Sequence, residues 1–342
     1  MVDLTGRDDS AEIERLVSGD ELIQDDVRSP QNLLRPERFS QYPGQARVRA
    51  NLEVFVSAAK GRESVLDHVL LHGPPGLGKT TLARIVAFEM GTSFYQTSGP
   101  SIERPGDLAG VLTGLEKGGV LFIDEIHRLS VAVEEVLYSA MEDFSMDIIV
   151  GQGPTARTVK VPVQPFTLVG ATTRTSLLSA PLRSRFGIQE RLEFYSSEEL
   201  QEILLRSAKL SSVHLDPGGA MELACRSRGT PRVANRLLRR VQDFADYHSK
   251  VILGREIVAL ALSRLDIDEF GLDNMDRKIL QTMNERYAGR PVGIDTLAAT
   301  IGEEKSTIED VYEPYLLHIG LICRGPRGRE LTPLGQDAIS NS

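Results

Sequence analysis

Apolar runs of strand length alternate with amphipathic stretches of helical period through the first half of the chain. HVLLHG (68–73), VLFIDEIH (120–127) and PFTLVGATT (165–173) are nearly continuous apolar runs, the pattern of strands covered on both faces. Between them lie helical patterns. RVRANLEVFVSAAKGR repeats its apolar positions at Val48, Leu52, Phe55 and Val56, and TLARIVAFEM continues from a Gly-rich loop. VAVEEVLYSAMEDF places Val133, Val136, Leu137, Ala140, Met141 and Phe144 on one face. Strands alternating with helices predict an α/β fold with a mostly parallel, layered sheet. MDIIV and RTVKV flank the Gly/Pro turn GQGPTA, which predicts a β-hairpin inserted at about 147–162.

After LEFYSSEEL the character changes. From Ser197 to about Leu265 the pattern predicts helices and no strand. From Asp266 three short helical patterns follow, then a two-stranded end around PRGR, which together suggest a winged helix-turn-helix. The predicted division is a polar leader over 1–30, a large domain over 31–196, a helical domain over 197–265 and a terminal head over 266–342.

Composition changes this picture little. The chain of 342 residues carries a formal net charge of -9, which argues weakly against a nucleic-acid partner for the body as a whole. Positive charge in the head collects only in CRGPRGRE, at Arg324, Arg327 and Arg329. Glycines beside these arginines would let a wing lie close to a phosphate backbone, although a charged β-turn has the same appearance. Cys225 and Cys323 belong to no CxxC pair, which fits a reducing, cytoplasmic setting and not a thiolate metal site. No apolar run is long enough to span a membrane.

The chemistry begins at GPPGLGKTTLA. Gly73 to Thr80 matches GxxxxGK[ST] at every fixed position, between a strand and a helix. Loop amides and the helix N-terminus would cradle phosphates, with Lys79 on the β and γ phosphates and Thr80 on Mg²⁺. Asp124 and Glu125 close an apolar strand, where adjacent carboxylates fit metal support and water activation respectively. Thr172 and Thr173 close the third strand, and either could face a γ-phosphate. Arg185, in SAPLRSRFG, suits an arginine finger or a surface ion pair. Arg232 opens a helix in the second domain and could reach back to phosphate, while Arg236, Arg239 and Arg240 read as a solvated face.

Taken together these elements resemble an AAA+ ATPase. The likeness narrows with NLLRPERFSQYPGQ, LDHVLLHGPPGLGKTTLA, VLFIDEIHRLS, VEEVLYSAMEDF, VGATTR, APLRSRFGI, RGTPRVANRLLRRV and EDVYEPYL…PRGR, which are similar to the RuvB family of bacterial Holliday-junction branch-migration motors. The resemblance runs from about Asn32 to Pro333; clamp-loader subunits share PPGxGKT but usually carry an SRC-type finger, where this chain has LRSRFG. It implies an AAA+ P-loop core with the inserted hairpin, a helical lid and a winged-helix head.

By the same resemblance, Leu34 and Arg35 lie on the adenine side, and Gly76, Lys79, Thr80 and Thr81 hold phosphates. Glu142, Asp143 and Phe144 match a nucleotide-contacting segment, Tyr195 lines the nucleotide, Arg185 is the finger acting in trans and Arg232 is the lid sensor. Arg324 and Arg329 match DNA-backbone contacts. The implied cofactors are ATP and Mg²⁺. The implied partners are duplex DNA, Holliday junctions, a RuvA-like protein docking on the hairpin, further copies in hexameric rings flanking the junction, and a junction resolvase. Ile148 and Val150 are the candidate docking residues, although an apolar hairpin face could equally cover the sheet. The leader is longer than the resemblance leads one to expect. The competing reading is an AAA+ switch or clamp-loader-like ATPase whose last domain binds protein; stimulation of ATP hydrolysis by naked duplex separates the two.

Overall fold

The computed structural model describes residues 34–150 and 157–340. The leader over 1–30, the hairpin turn and the side chains of Ile148 and Val150 lie outside the described residues.

The large domain begins with α1 (Ala46–Gly61) and is built on a five-stranded sheet. Its strands are β1 (Val69–His72), β2 (Phe94–Ser98), β3 (Val120–Asp124), β6 (Thr167–Thr172) and β7 (Ile188–Arg191), in the order β2-β3-β6-β1-β7. All four pairings are parallel. Every residue of β6 is buried, as are Val120 to Ile123 of β3 and Val69 to Leu71 of β1, which accounts for their unbroken apolar runs. The edge strands β2 and β7 carry no such runs. In β7 buried and exposed residues alternate, and in β2 no residue is fully buried, so neither stands out as an apolar block.

Helix α2 (Lys79–Met90) covers one face together with α1. On the other face, α3 (Pro105–Thr113) and α4 (Val131–Asp143) pack with Leu70, Leu121, Ile123 and Leu168 in a second core. The expected hairpin is present as β4 (Ser145–Val150) and β5 (Arg157–Pro162), antiparallel, with Ile148 opposite Val159. The short α5 (Ala180–Ser184) precedes β7.

The lid comprises α6 (Ser197–Leu210), α7 (Pro217–Cys225), α8 (Pro231–Tyr247) and α9 (Arg255–Arg264). The expectation of no strand here is corrected by a two-residue parallel pair, β8 (His214–Leu215) with β9 (Ile252–Leu253), too short to leave a periodic signal. Lid residues such as Leu204, Leu223 and Leu237 join one continuous core with α1, α2 and the sheet.

The head has its own core. It contains α10 (Asn274–Glu285), α11 (Ile294–Ile301), α12 (Lys305–Thr307), a π-helical turn (Ile308–Tyr312) and α13 (Glu313–His318). The wing follows as β10 (Ile322–Gly325) paired antiparallel with β11 (Gly328–Leu331), and α14 (Pro333–Ser340) closes the described chain.

Candidate active site

The loop between β1 and α2 needs backbone that L side chains rarely adopt. Gly76 and Gly78 have φ of +80° and +96°, and a Cβ on Gly78 would stand 2.7 Å from the Tyr42 hydroxyl. The loop therefore follows a path that glycine alone takes without strain, and it wraps a cleft of about 280 Å³ between the large domain and the lid. Lys79 is 8% exposed, and its Nζ donates to the carbonyls of Gly73 and Pro74, each at 2.8 Å. Burial pushes its ammonium down to about 8; Asp124 opposes that shift and Arg232 adds to it. A buried cation satisfied only by neutral carbonyls is poised to exchange them for an anion.

Asp124 and Glu125 both face the cleft at the end of β3. Asp124 Oδ1 accepts the Glu125 N–H at 2.9 Å, which holds the turn in which Glu125 has a left-handed backbone (φ 47°, ψ 43°). The Glu125 carboxylate is 3.0 Å from Arg128 Nη1. Thr80 and Thr81, opening α2, share the same cleft.

Thr172 and Thr173 separate. Thr172 is 1% exposed, lies 2.9 Å from His127 Nδ1 and accepts the Arg174 N–H at 3.0 Å. Thr173 lines the cleft.

The opposite wall comes from the N-terminal segment and the lid. Arg206 on α6 donates to the Leu34 carbonyl at 2.6 Å, which ties the Leu34–Arg35 segment to the lid. The phenol oxygens of Tyr42 and Tyr195 are 2.7 Å apart, and both lie within 3.3 Å of the Leu77 carbonyl oxygen. Burial holds both phenols well above their ordinary range, so they act as neutral hydrogen-bonding walls. At the start of α8, Pro231 occupies the first helical turn and Thr230 caps it, accepting from Val233 N–H at 3.4 Å. That cap sets Arg232 over the loop, its backbone N–H 3.4 Å from the Gly76 carbonyl.

Sequence reasoning missed Tyr42, Ile203, Arg206, Asn235 and Arg239, which also line the cleft. For Arg239 this corrects the expectation of a purely solvated face: on α8 it follows Arg232 and Asn235 by seven and four residues, a spacing that was readable.

Arg185 lies outside the cleft. It caps α5, pairs with Glu142 at 2.9 Å, donates to the Pro181 carbonyl at 3.0 Å and stacks over the Tyr138 ring at 4.8 Å. Asp143 is 3.5 Å from Lys160, and Phe144 ends α4 with φ 48°, its ring against Phe166. Glu142, Asp143 and Phe144 thus accompany Arg185 on another surface and do not face the cleft of their own chain.

In the wing, Arg324 and Arg327 are exposed. Arg329, expected on a phosphate-facing surface, is buried in the DNA-free chain. Its side chain is 8% exposed, with Nε 2.7 Å from Glu313 Oε1 and Nη2 3.1 Å from Glu309 Oε1. The cause is strand alternation: Arg329 points inward with Leu331. Among the described residues no helix is long and apolar enough to cross a membrane.

Known proteins share this arrangement. Three family models match in succession: the Holliday junction DNA helicase RuvB P-loop domain over 34–192, the RuvB AAA lid domain over 195–268 and the RuvB C-terminal winged helix domain over 269–340. A structure of the Thermotoga maritima RuvB Holliday junction branch migration motor is 50% identical, covering 90% of this chain and 98% of its own, with a TM-score of 0.83. Two point mutants of that protein match with the same identity and coverage and a TM-score of 0.84. With an AAA+ P-loop core, lid and winged-helix head matched in order from residue 34 to residue 340, the chain belongs to the RuvB family of ATP-dependent Holliday junction branch-migration helicases.

Proposed function

We propose that the cleft between the large domain and the lid hydrolyses ATP only when a neighbouring copy completes it, and that the head converts each turnover into movement of duplex DNA. Leu34, Arg35 and Tyr195 take the adenine side, and Gly76, Lys79, Thr80 and Thr81 the phosphates. The donors fit Mg²⁺: Thr80 and Asp124 would hold it, and when bound it neutralises phosphate charge. Among the described residues no three-ligand His/Cys/Asp/Glu cluster exists, which suits an ion carried in largely by phosphate and water.

The chain's own groups do the rest. Lys79 gives up the carbonyls of Gly73 and Pro74 for phosphate oxygens. Glu125 leaves Arg128 and orients the attacking water, assisted by Thr173. Arg232 reports phosphate occupancy to the lid. Arg185 acts on the neighbour's nucleotide, with Glu142, Asp143 and Phe144 beside it at the same junction between copies. Rings of six, one on each side of a four-way junction, would pull duplex outward. The junction would be held by a RuvA-like protein docked on β4–β5 near Ile148 and Val150, with a junction resolvase acting afterwards, in the cytoplasm. Arg324 and Arg327 would grip phosphates without reading bases, as a motor sliding over any sequence requires. The division at 31–196, 197–265 and 266–342 serves this scheme.

The observation that carries the reading is the split site: Lys79, Glu125, Thr173 and Arg232 share one cleft, while Arg185 is paired with Glu142 elsewhere. Mixing Arg185→Ala with Lys79→Ala protein tests it. Each alone should be inactive, and mixed rings should regain hydrolysis because one copy supplies the finger and the other the pocket. Absence of recovery at every ratio, with mixed rings verified, would refute the trans assignment.

A further inference from the structure

Phe194 is the one residue among those described that packs against both the core shared by large domain and lid and the core of the head. Its ring lies 4.4 Å from that of His318, tilted by 31°, and 6.2 Å from that of Tyr315. The next residue, Tyr195, lines the nucleotide cleft. The turn between α7 and α8 repeats this arrangement. Tyr195 N–H donates to the Gly229 carbonyl at 2.9 Å, and a Cβ on Gly229 would stand 2.9 Å from Phe194 Cβ, so the two segments touch. Beside Gly229, Arg228 reaches into the head. Its Nη1 is 2.6 Å from Asp276 Oδ2, its Nη2 is 3.3 Å from the Val311 carbonyl, and its guanidinium stacks over Tyr315 at 4.9 Å. Four residues further on, Arg232 faces the cleft. In both segments, then, one side chain enters the head and a near neighbour lines the nucleotide cleft.

The two attachments of the head differ in kind. Arg228 and Asp276 are 11% and 0% exposed, so parting them would strand the Arg228 guanidinium in a low-dielectric interior. The head also meets the large domain through Arg174, 2.6 Å from Asp310 and 3.6 Å from Glu309, but these side chains are 20–36% exposed and solvent can replace the contact. Breaking the Arg174 contact therefore costs less than breaking the Arg228 contact.

We infer that Phe194, at the boundary of large domain and lid and packed against Gly229 of the lid, and Arg228 are positioning residues that hold head and lid together as one body, so that a nucleotide-driven change at Tyr195 and Arg232 is delivered to the DNA-gripping wing. Neither residue lines the cleft or lies in the wing. Their role is to make the two sites feel each other, which is a coupling free energy and must be reciprocal.

The test uses the full chain in its DNA-binding assembly. Nucleotide affinity is measured with and without saturating duplex, using a fluorescent ATP analogue, together with hydrolysis with and without duplex. In the Phe194→Ala/Arg228→Met double variant, each ligand alone should bind within about 3-fold of the parent, while the factor by which duplex shifts nucleotide affinity, about 5- to 150-fold in coupled systems, should fall towards 1. Duplex stimulation of hydrolysis should fall with it, and Phe194→Leu should recover part of both. If the double variant does not fold, Asp276→Asn, which keeps the shape but can never carry the carboxylate charge, is read in the same way. A folded variant that keeps the parent's coupling factor overturns the joint. So does one that loses DNA-free hydrolysis together with nucleotide affinity, since that marks a structural role in the cleft. The inference rests on duplex-dependent ATP hydrolysis as proposed above; a parent unresponsive to duplex defeats that reading, whereas a responsive parent with equally responsive variants defeats the joint alone.

Discussion

Thr172 and Thr173 are consecutive at the end of β6 and serve opposite sides of it: Thr172 Oγ1 is buried 2.9 Å from His127 Nδ1, while Thr173 faces the nucleotide cleft. Strand alternation makes this division unavoidable. Thr173→Val should therefore lower single-turnover hydrolysis by about 10²-fold with nucleotide affinity retained, as expected for loss of one transition-state hydrogen-bonding group. Thr172→Val should act on stability, by about 1–3 kcal/mol, because it leaves the Arg174 N–H and the His127 ring without their partner. Hydrolysis rates and thermal melts on both variants decide the matter; the reverse pattern would make Thr172 the sensing residue.

The wing arginines should also part company. Arg324, with a side chain 57% exposed and only the longer contacts of 3.4 Å to Glu309 and 3.8 Å to Glu313, is free to exchange them for a phosphate, whereas the buried Arg329 is held at 3.1 Å and 2.7 Å by the same two carboxylates. Arg324→Ala should weaken duplex binding by a similar factor on unrelated sequences and lower the slope of log affinity against log salt by about one unit. Arg329→Ala should instead destabilise the head by about 3–5 kcal/mol, since buried Glu313 would lose its 2.7 Å partner and keep only the 3.8 Å contact to the exposed Arg324. Duplex titrations across salt concentrations, read beside denaturant melts, separate the two effects. An undiminished salt slope for Arg324→Ala would take that residue off the DNA path.

These contrasts mark what could be read in the chain and what could not. The phosphate loop was legible because its chemistry is contiguous: Gly73 to Thr80 supplies turn, cation and hydroxyl within one strand-to-helix passage. Strands β1, β3 and β6 were legible because burial on both faces leaves unbroken apolar runs, while β2 and β7 at the sheet edges do not. The inward course of Arg329 was available from its two-residue spacing to Leu331, but the neighbouring glycines pointed to a wing surface instead. The wall formed by Tyr42, Arg206 and Arg239 was not legible, because those residues meet only when the lid folds over the loop. Nor was the pairing of Arg228 with Asp276, which are 48 positions apart and join two cores.

Asp276 should give the protein a characteristic pH response. Full enclosure raises its carboxyl to about 7, against the pull of Arg228 and with Asp273 adding to the rise. Between the unfolded value near 3.8 and about 7 the folded state therefore holds a proton that the unfolded chain has released. Stability from this group is fully present below the lower value and is lost as pH rises through the upper one. Asp276→Asn removes the proton. The melting temperature of the parent should thus decline relative to that of the variant from pH 5 to pH 8, and parallel curves over that range would contradict the assignment.

The hairpin offers the last contrast. At its base Met146 is fully buried and stands opposite Val161, which packs on the second core. Two pairs further along, Val159 stands opposite Ile148 and is 45% exposed. Val161 and Val159 share a face by alternation, so an apolar face that begins inside the domain continues out of it uncovered. An apolar strand surface running beyond its own core costs free energy in water unless a partner covers it, which favours docking over simple cover for the sheet. Val159→Asp should leave hydrolysis and duplex binding by the isolated protein unchanged while abolishing binding to the junction-holding partner and partner-dependent branch migration. Lys160→Asp on the same strand serves as the control: Lys160 points to the opposite face, towards Asp143, and its loss should spare partner binding. A pull-down with the purified partner, run beside a four-way junction migration assay, reads both. Full partner binding by folded Val159→Asp protein would return the exposed valine to an ordinary surface residue and remove the hairpin from the docking site.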